Sequence, residues 1–168
     1  SMRKALDVIK QVHEEYAKLS GRSYGNGLVE AYKLDDAEIA LVCMGSTAGT
    51  VKTVVDELRQ NGIKAGVLKI RAFRPLPIED IVSSLSGKKA VAVLDRSCSF
   101  GGSGGPLFHE IRHAIYDVAD RPQLINRIYG LGGRDIRLHM IDGVYKELQN
   151  MAETGESAEK LKFIGIRE

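Results

Sequence analysis

Short, uninterrupted apolar runs alternate with helical patterns along most of this chain. The run at residues 39–44 ends in a Gly/Ser-rich loop that opens into a helical pattern at 47–61, and the run at 89–94 repeats this arrangement through a longer glycine-rich loop, 95–105, and a helix that begins at Pro106. Continuous apolar runs are typical of strands buried on both faces, and strands that alternate with helices form parallel sheets. The loops after such strands gather at the carboxyl-terminal edge of the sheet, where we expect any functional residues.

The rest of the chain completes an α/β pattern. Apolar residues recur at three- and four-residue steps in the helical segments, whereas residues 28–34 alternate as an edge strand that we expect to be antiparallel. Pro75 and Pro77 delay the helix that follows the second core strand, because proline fits only the first turn of a helix. The further predicted elements are helices at 2–19, 78–85, 106 to about 118 and 136–151, and strands at 65–70 and 123–129.

The length of 168 residues suits one compact domain with two short extensions. We expect a linker helix at residues 1–20, in which Ser1 resembles a residue left by tag cleavage, then an α/β domain at 21–150 and a polar tail at 151–168. Within the tail, residues 161–166 are either a last added strand or a tag-like extension.

Composition excludes several classes of partner. The 24 basic and 22 acidic residues nearly balance, so there is no electrostatic reason to expect nucleic acid or a membrane as a partner. The longest apolar runs are about six residues, far short of the roughly 20 that span a bilayer, and no signal peptide is visible. We expect a cytoplasmic location. The two cysteines, Cys43 and Cys98, suit a reducing compartment and are too few for the four thiolates of an iron–sulfur cluster.

The loop at residues 45–50 precedes a helix, and the free N–H groups at a helix start can bind an anion. Its residues Gly45, Ser46 and Thr47 match neither the GxGxxG pattern nor the phosphate loop that ends in Gly-Lys-Ser/Thr. A side chain of Ser46 or Thr47 could instead cap the helix, and we favour this capping role.

The segment from His109 to His113 matches the HExxH pattern of zinc peptidases. Its two histidines lie roughly opposite the apolar stripe of the helix, so we expect a solvated face rather than a metal site. Cys98 is a candidate exposed thiol, but no base can be paired with it as a nucleophile would require.

Four arginines fall on the loops that leave the strand ends: Arg71, Arg74, Arg96 and Arg134. With Gly101 and Gly102 they form a candidate rim that could hold carboxylates or phosphates, or could anchor a protein interface. Because the rim is accompanied only by Asp95 and Asp135 and offers no general base with an identifiable proton to move, we favour the interface.

Several separated motifs, at residues 45–50, 68–77, 92–96 and 128–135, follow one another in an order that resembles the C-terminal half of the alpha subunit of the pyruvate:ferredoxin oxidoreductases, also called pyruvate synthases. The turn at 21–25 is similar to the linker that enters this domain. The resemblance implies a domain similar to the transketolase C-terminal domain: a three-layer α/β/α sandwich around a five-stranded, mostly parallel sheet with one antiparallel strand.

The resemblance also implies a function. The family converts pyruvate and coenzyme A to acetyl-coenzyme A and carbon dioxide and passes electrons to ferredoxin or flavodoxin, using thiamine diphosphate, Mg²⁺ and iron–sulfur clusters. We carry no catalytic, cofactor-binding or metal-binding residue over to this chain, and we expect it to be inactive alone and to dock against other domains or subunits. The alternative is a stand-alone α/β module that binds an anion such as a nucleotide or coenzyme A at the loop around Gly45 or Gly101.

Overall fold

The structure is a computed structural model that describes residues 2–166. The interpretation of Ser1 as a tag residue lies outside this range. The helices are α1 (Met2–Ser20), α2 (Thr47–Gln60), α3 (Ile78–Leu85), α4 (Pro106–Ala114) and α5 (Leu138–Thr154). The strands are β1 (Val29–Tyr32), β2 (Ile39–Met44), β3 (Ala65–Ile70), β4 (Ala90–Asp95), β5 (Gln123–Ile128) and β6 (Leu161–Phe163).

All the strands form one sheet in the order β1-β3-β2-β4-β5-β6. The edge strand β1 runs antiparallel to β3, with Val29 opposite Ile70, and the other pairings are parallel. The α/β prediction with one antiparallel strand is therefore confirmed. The sheet has six strands rather than the five that the resemblance implies, because Leu161–Phe163 pairs with β5. Of the two interpretations of residues 161–166, the added strand is correct.

The core consists of two layers, one on each face of the sheet. Alternation along β2 places Leu41 in the cluster beneath α2 and α5, and places its neighbour Val42 in the cluster beneath α3 and α4. Both side chains are 0% exposed. Because each central strand is covered on both faces, apolar residues fill consecutive positions, which explains the continuous runs in the sequence.

Some element boundaries differ from the prediction for local reasons. The first strand ends at Tyr32 because Lys33 has a φ of 51° and turns the chain out of the sheet. The fourth helix ends at Ala114, so Val118 lies in a turn instead of on the helix. The last helix begins at Leu138 rather than at residue 136, since the chain is still extended at Arg137.

A buried arginine attaches the tail to the domain. Arg127 in β5 is 0% exposed, and its Nε donates to Glu147 Oε2 of α5 at 2.8 Å. Its Nη1 donates to the carbonyl of Glu159 at 3.0 Å, and Lys162 of β6 pairs with Glu147 at 2.8 Å. Residues 159–162 are therefore held against the sheet by charge-assisted hydrogen bonds.

The amphipathic helix α1 is present as predicted, but it contributes no buried residue. Its contacts with the domain include an ion pair of 3.2 Å between Lys10 and Asp80 and a hydrogen bond of 3.2 Å from the Tyr24 amide to His13 Nε2. Across residues 2–166, no helix combines the length and the apolar character that crossing a membrane requires.

Candidate functional site

The parallel strands β2, β3, β4 and β5 all end at one edge of the sheet, which we call the carboxyl edge. The candidate residues lie on the loops that leave this edge, except Thr47, which is the first residue of α2. The side chains nevertheless separate into distinct groups instead of converging on one site.

The central group surrounds a pocket of about 380 Å³, which we call the edge pocket; its lining includes Ser46, Thr47, Arg96, Tyr129 and Arg134. The hydroxyl groups of Thr47 and Tyr129 form a buried hydrogen bond of 2.6 Å. The guanidinium of Arg96 lies 5.8 Å from the centre of the Tyr129 ring, within cation–π range. The pocket therefore combines hydroxyl groups with two cations and one acidic residue, Asp135.

The capping role that the sequence suggested for Ser46 or Thr47 is wrong. Ser46 precedes α2 in an αR conformation and makes no side-chain capping hydrogen bond. The Thr47 hydroxyl is directed to Tyr129 instead. The positive end of the α2 dipole therefore lies at the edge pocket without a side-chain cap. Tyr129, which supplies the partner hydroxyl, was not among the residues that the sequence singled out.

Arg71 and Arg74 lie outside the lining of the edge pocket. The guanidinium of Arg71 lies 5.3 Å from the Tyr24 ring and 4.0 Å from Glu30. Arg74 forms an ion pair of 2.6 Å with Glu110 of α4 and lies 4.2 Å from the Phe73 ring. The alternative in which all four guanidinium groups serve one anion site is therefore not met, because Arg71 and Arg74 are engaged elsewhere and Arg134 Nη1 donates to the Gly165 carbonyl at 2.8 Å.

The loop with Gly101 and Gly102 directs several of its amides inward. Gly102 N donates to the Ser99 carbonyl at 3.0 Å, and Ser99 N donates to the Gly104 carbonyl at 2.7 Å. These amides are used by the turn itself, which weakens the case for a phosphate cradle. At the tip of the loop, the side chain of Phe100 is fully exposed.

A buried polar network that the sequence analysis missed fixes the base of this loop. Asp95, at the end of β4, accepts hydrogen bonds from the amides of Leu107 at 2.8 Å and Phe108 at 3.1 Å and thereby caps α4. Asn126 Nδ2 donates to Asp95 at 2.9 Å, and Gly105 N donates to Asn126 Oδ1 at 2.8 Å. Burial raises the pKa of Asp95 despite these hydrogen bonds, which act in the opposite direction. The sequence signal that could have indicated this network is the Asp that directly follows the apolar run at residues 89–94.

The side chains that could hold a metal do not converge. Cys43 is buried in β2, where desolvation raises the pKa of its thiol to about 12, and Cys98 is exposed on a loop. In the HExxH segment, Glu110 pairs with Arg74, and His113 is exposed as the helical pattern predicts, whereas His109 is half-buried. Within the described range, 2–166, no three His, Cys, Asp or Glu side chains are placed to share a metal ion.

Comparison with known proteins gives consistent matches. The family described as "Pyruvate:ferredoxin oxidoreductase core domain II" matches residues 37–141. The chain is 41% identical over its whole length to pyruvate synthase subunit PorA of Thermotoga maritima, and 43% identical to that of Methanocaldococcus jannaschii. It is 37% identical, over 97% of its length, to ketoisovalerate oxidoreductase subunit VorA of Pyrococcus abyssi. In each of these three comparisons it spans 41% of the relative's length.

Among solved structures, the fold is similar to the 2-oxoglutarate:ferredoxin oxidoreductase from Magnetococcus marinus with 2-oxoglutarate, coenzyme A and succinyl-CoA bound. The TM-score is 0.52 at 20% identity, and the match covers 86% of this chain and 23% of that one. This likeness supports the fold.

Proposed function

The chain belongs to the pyruvate:ferredoxin oxidoreductase family as its core domain II, and from this premise we propose that it is a docking domain of a 2-oxoacid:ferredoxin oxidoreductase. The matches to two pyruvate synthase subunits support pyruvate as the substrate. The whole enzyme then converts pyruvate, coenzyme A and oxidised ferredoxin to acetyl-coenzyme A, carbon dioxide and reduced ferredoxin. In this proposal, residues 1–20 link the domain at 21–150 to the rest of the subunit.

One observation carries the proposal: large apolar side chains are exposed at the ends of three strands at the carboxyl edge, and two of them share a loop with an arginine. Met44 is 36%, Leu131 39% and Phe100 109% exposed. Arg96 lies on the same loop as Phe100, and Arg134 lies on the same loop as Leu131. Methionine, aromatic residues and arginine are enriched at protein interfaces, and an exposed aromatic ring that fills a partner's pocket is a typical binding hot spot. The edge therefore has the composition of an interface with another domain or subunit.

The cysteines of this chain do not fit an iron–sulfur cluster. Two separated cysteines, one of them buried with a pKa of about 12, cannot ligate an iron–sulfur cluster. The described residues also bring no three potential ligands together for a Mg²⁺ ion. In this proposal the clusters lie on other parts of the enzyme, as the resemblance also implies for thiamine diphosphate, Mg²⁺ and coenzyme A, and we derive no chemical step on this chain.

The physical contribution of the domain is positional. The rigid sheet and the Asp95 network hold the loops of the carboxyl edge in fixed positions. A partner domain that binds this edge gains a defined orientation, and the contact excludes water from the surface that it covers. These effects support catalysis without a reacting group on this chain.

The edge pocket supports a second candidate function. It has room for a small anion and contains Arg96 and Arg134 near the start of α2, together with the acidic Asp135. A stand-alone module would bind a nucleotide or coenzyme A there. A ligand at 100 times its dissociation constant adds about 2.7 kcal/mol of stability, so a thermal-shift screen of the chain against such anions separates the two candidates.

Substitutions at opposite edges of the sheet test the docking role. In the whole oxidoreductase, Arg96→Glu or Phe100→Ser should weaken assembly in sedimentation velocity and lower turnover in parallel. The matched control is Lys64→Glu, because Lys64 is 55% exposed and lies just before β3 at the other edge. Normal assembly and turnover in both carboxyl-edge variants would overturn the proposal.

A further inference from the structure

A second cavity lies at the amino-terminal end of β5, away from the carboxyl edge. We call it the β5 groove; its volume is about 560 Å³. The groove forms where the end of α4, the start of β5 and the loop before β6 meet. Ligand sites commonly have volumes of about 300–1,000 Å³, so the groove has the size of a small-molecule site.

The floor of the groove is apolar. The buried side chains of Phe108 and Ile115 form its base, and Leu124 of β5, which is partly exposed, provides most of the floor's accessible apolar surface. Leu124 remains partly exposed, whereas the central strands are covered on this face by α3 and α4. At the mouth, Tyr116 is 68% exposed. A flat apolar group can therefore lie against the floor and stack on an aromatic ring that is open to solvent.

Three cations line the same groove: Arg112, Arg121 and Lys160. Within residues 2–166, none of them lies within 4.0 Å of a carboxylate. In contrast, Arg59 and Arg127 each pair with an acidic side chain. The lining of the groove contains no Asp or Glu among the described residues. Within this part of the chain, the three cations therefore have no direct carboxylate partner.

An apolar floor with an open aromatic ring and three unpaired cations suits a ligand that is flat and apolar at one end and carries several negative charges at the other. We propose that the β5 groove binds a nucleoside diphosphate. The base lies on the floor beside Tyr116, and the diphosphate accepts hydrogen bonds from Arg112, Arg121 and Lys160, since guanidinium groups match phosphate oxygens bidentately. This site is independent of the docking role of the carboxyl edge.

Calorimetric titration of the 168-residue chain with ADP at low ionic strength tests the proposal. ADP should bind saturably, and both inorganic phosphate and adenosine should bind at least about tenfold more weakly, because each engages only half of the site. The double variant Arg112→Ala/Arg121→Ala should bind ADP at least about tenfold more weakly through the loss of charge-assisted hydrogen bonds. Tyr116→Ala should also weaken binding.

The matched control is Lys18→Ala/Arg22→Ala, which removes two exposed cations from outside the groove. Both double variants remove the same charge, so a general electrostatic effect would weaken ADP binding equally in the two. Circular-dichroism melting of each variant establishes that it is folded. The proposal is overturned by a lack of saturable ADP binding, by phosphate that binds as tightly as ADP, or by equal losses in the two double variants.

Discussion

The hydroxyl groups of Thr47 and Tyr129 lie 2.6 Å apart at the edge pocket, although 82 positions separate the two residues in the sequence. Thr47 begins α2 and Tyr129 directly follows β5, so this hydrogen bond joins two loops of the carboxyl edge. Burial raises the pKa of Tyr129, so its phenol keeps its proton at neutral pH. The bond helps to hold the loops that the docking proposal requires to be rigid.

A double-mutant cycle measures this link. Thr47→Val and Tyr129→Phe should each lower the free energy of unfolding by about 1 kcal/mol, because each leaves a buried hydroxyl partner unpaired. The double variant should lose less than the sum of the two, since the second substitution removes the unpaired group that the first one leaves. Urea denaturation provides the three values. Strictly additive losses would show that the two hydroxyl groups are not coupled.

Gly105→Ala should destabilise the domain by about 3 kcal/mol or more. The backbone of Gly105 is ordinary, with φ −84°, but an added Cβ would lie 2.0 Å from Asp95 Cγ. The carboxylate would have to move away from the start of α4. The control is Gly143→Ala on α5, where an added Cβ would have no atom within 4 Å. This substitution should raise the free energy of unfolding by about 0.5–1 kcal/mol, because alanine has the higher helix propensity. Similar effects of the two substitutions on urea midpoints would contradict the close contact.

Glu147→Gln should lower the free energy of unfolding at neutral pH by about 2–3 kcal/mol. The substitution leaves the guanidinium of Arg127, which is 0% exposed, without its counter-charge. The conservative replacement keeps the shape of the side chain, so a loss reports mainly on charge. A difference below about 0.5 kcal/mol would show that the carbonyl partners of Arg127 suffice without Glu147.

The effect of Glu147→Gln should also depend on pH. Burial alone would raise the pKa of Glu147, but the hydrogen bonds from Lys162 and Arg127 outweigh it and hold the pKa below its ordinary value of 4.5. The stability that this ionised group contributes is therefore fully present above pH 4.5 and is lost as the pH falls through the lowered pKa. Urea denaturation of both proteins at several pH values should show their difference shrinking on acidification. A difference that stays constant would exclude this titration as its cause.

The sequence predicts the central sheet well because parallel strands covered on both faces need continuous apolar residues. The strand β6 was undecided, since three residues carry little pattern and its place depends on β5, on Arg127 and on the distant Glu147. The position of the rim loops followed from topology alone. The orientation of the Arg74 side chain could not be predicted in this way, because it is set by the ion pair with Glu110, 36 positions away. The network of Asp95 with Asn126 was missed for the same reason.

Hydrogen–deuterium exchange of the chain, alone and within the assembled oxidoreductase, tests the docking role most directly. The account predicts that assembly slows exchange in the carboxyl-edge loops at residues 45–50, 96–105 and 130–135. The turns at the opposite edge, at 35–38, 61–64 and 86–89, should exchange at the same rate in both states. Protection confined to those opposite turns, or unchanged exchange in the carboxyl-edge loops, would contradict the docking role.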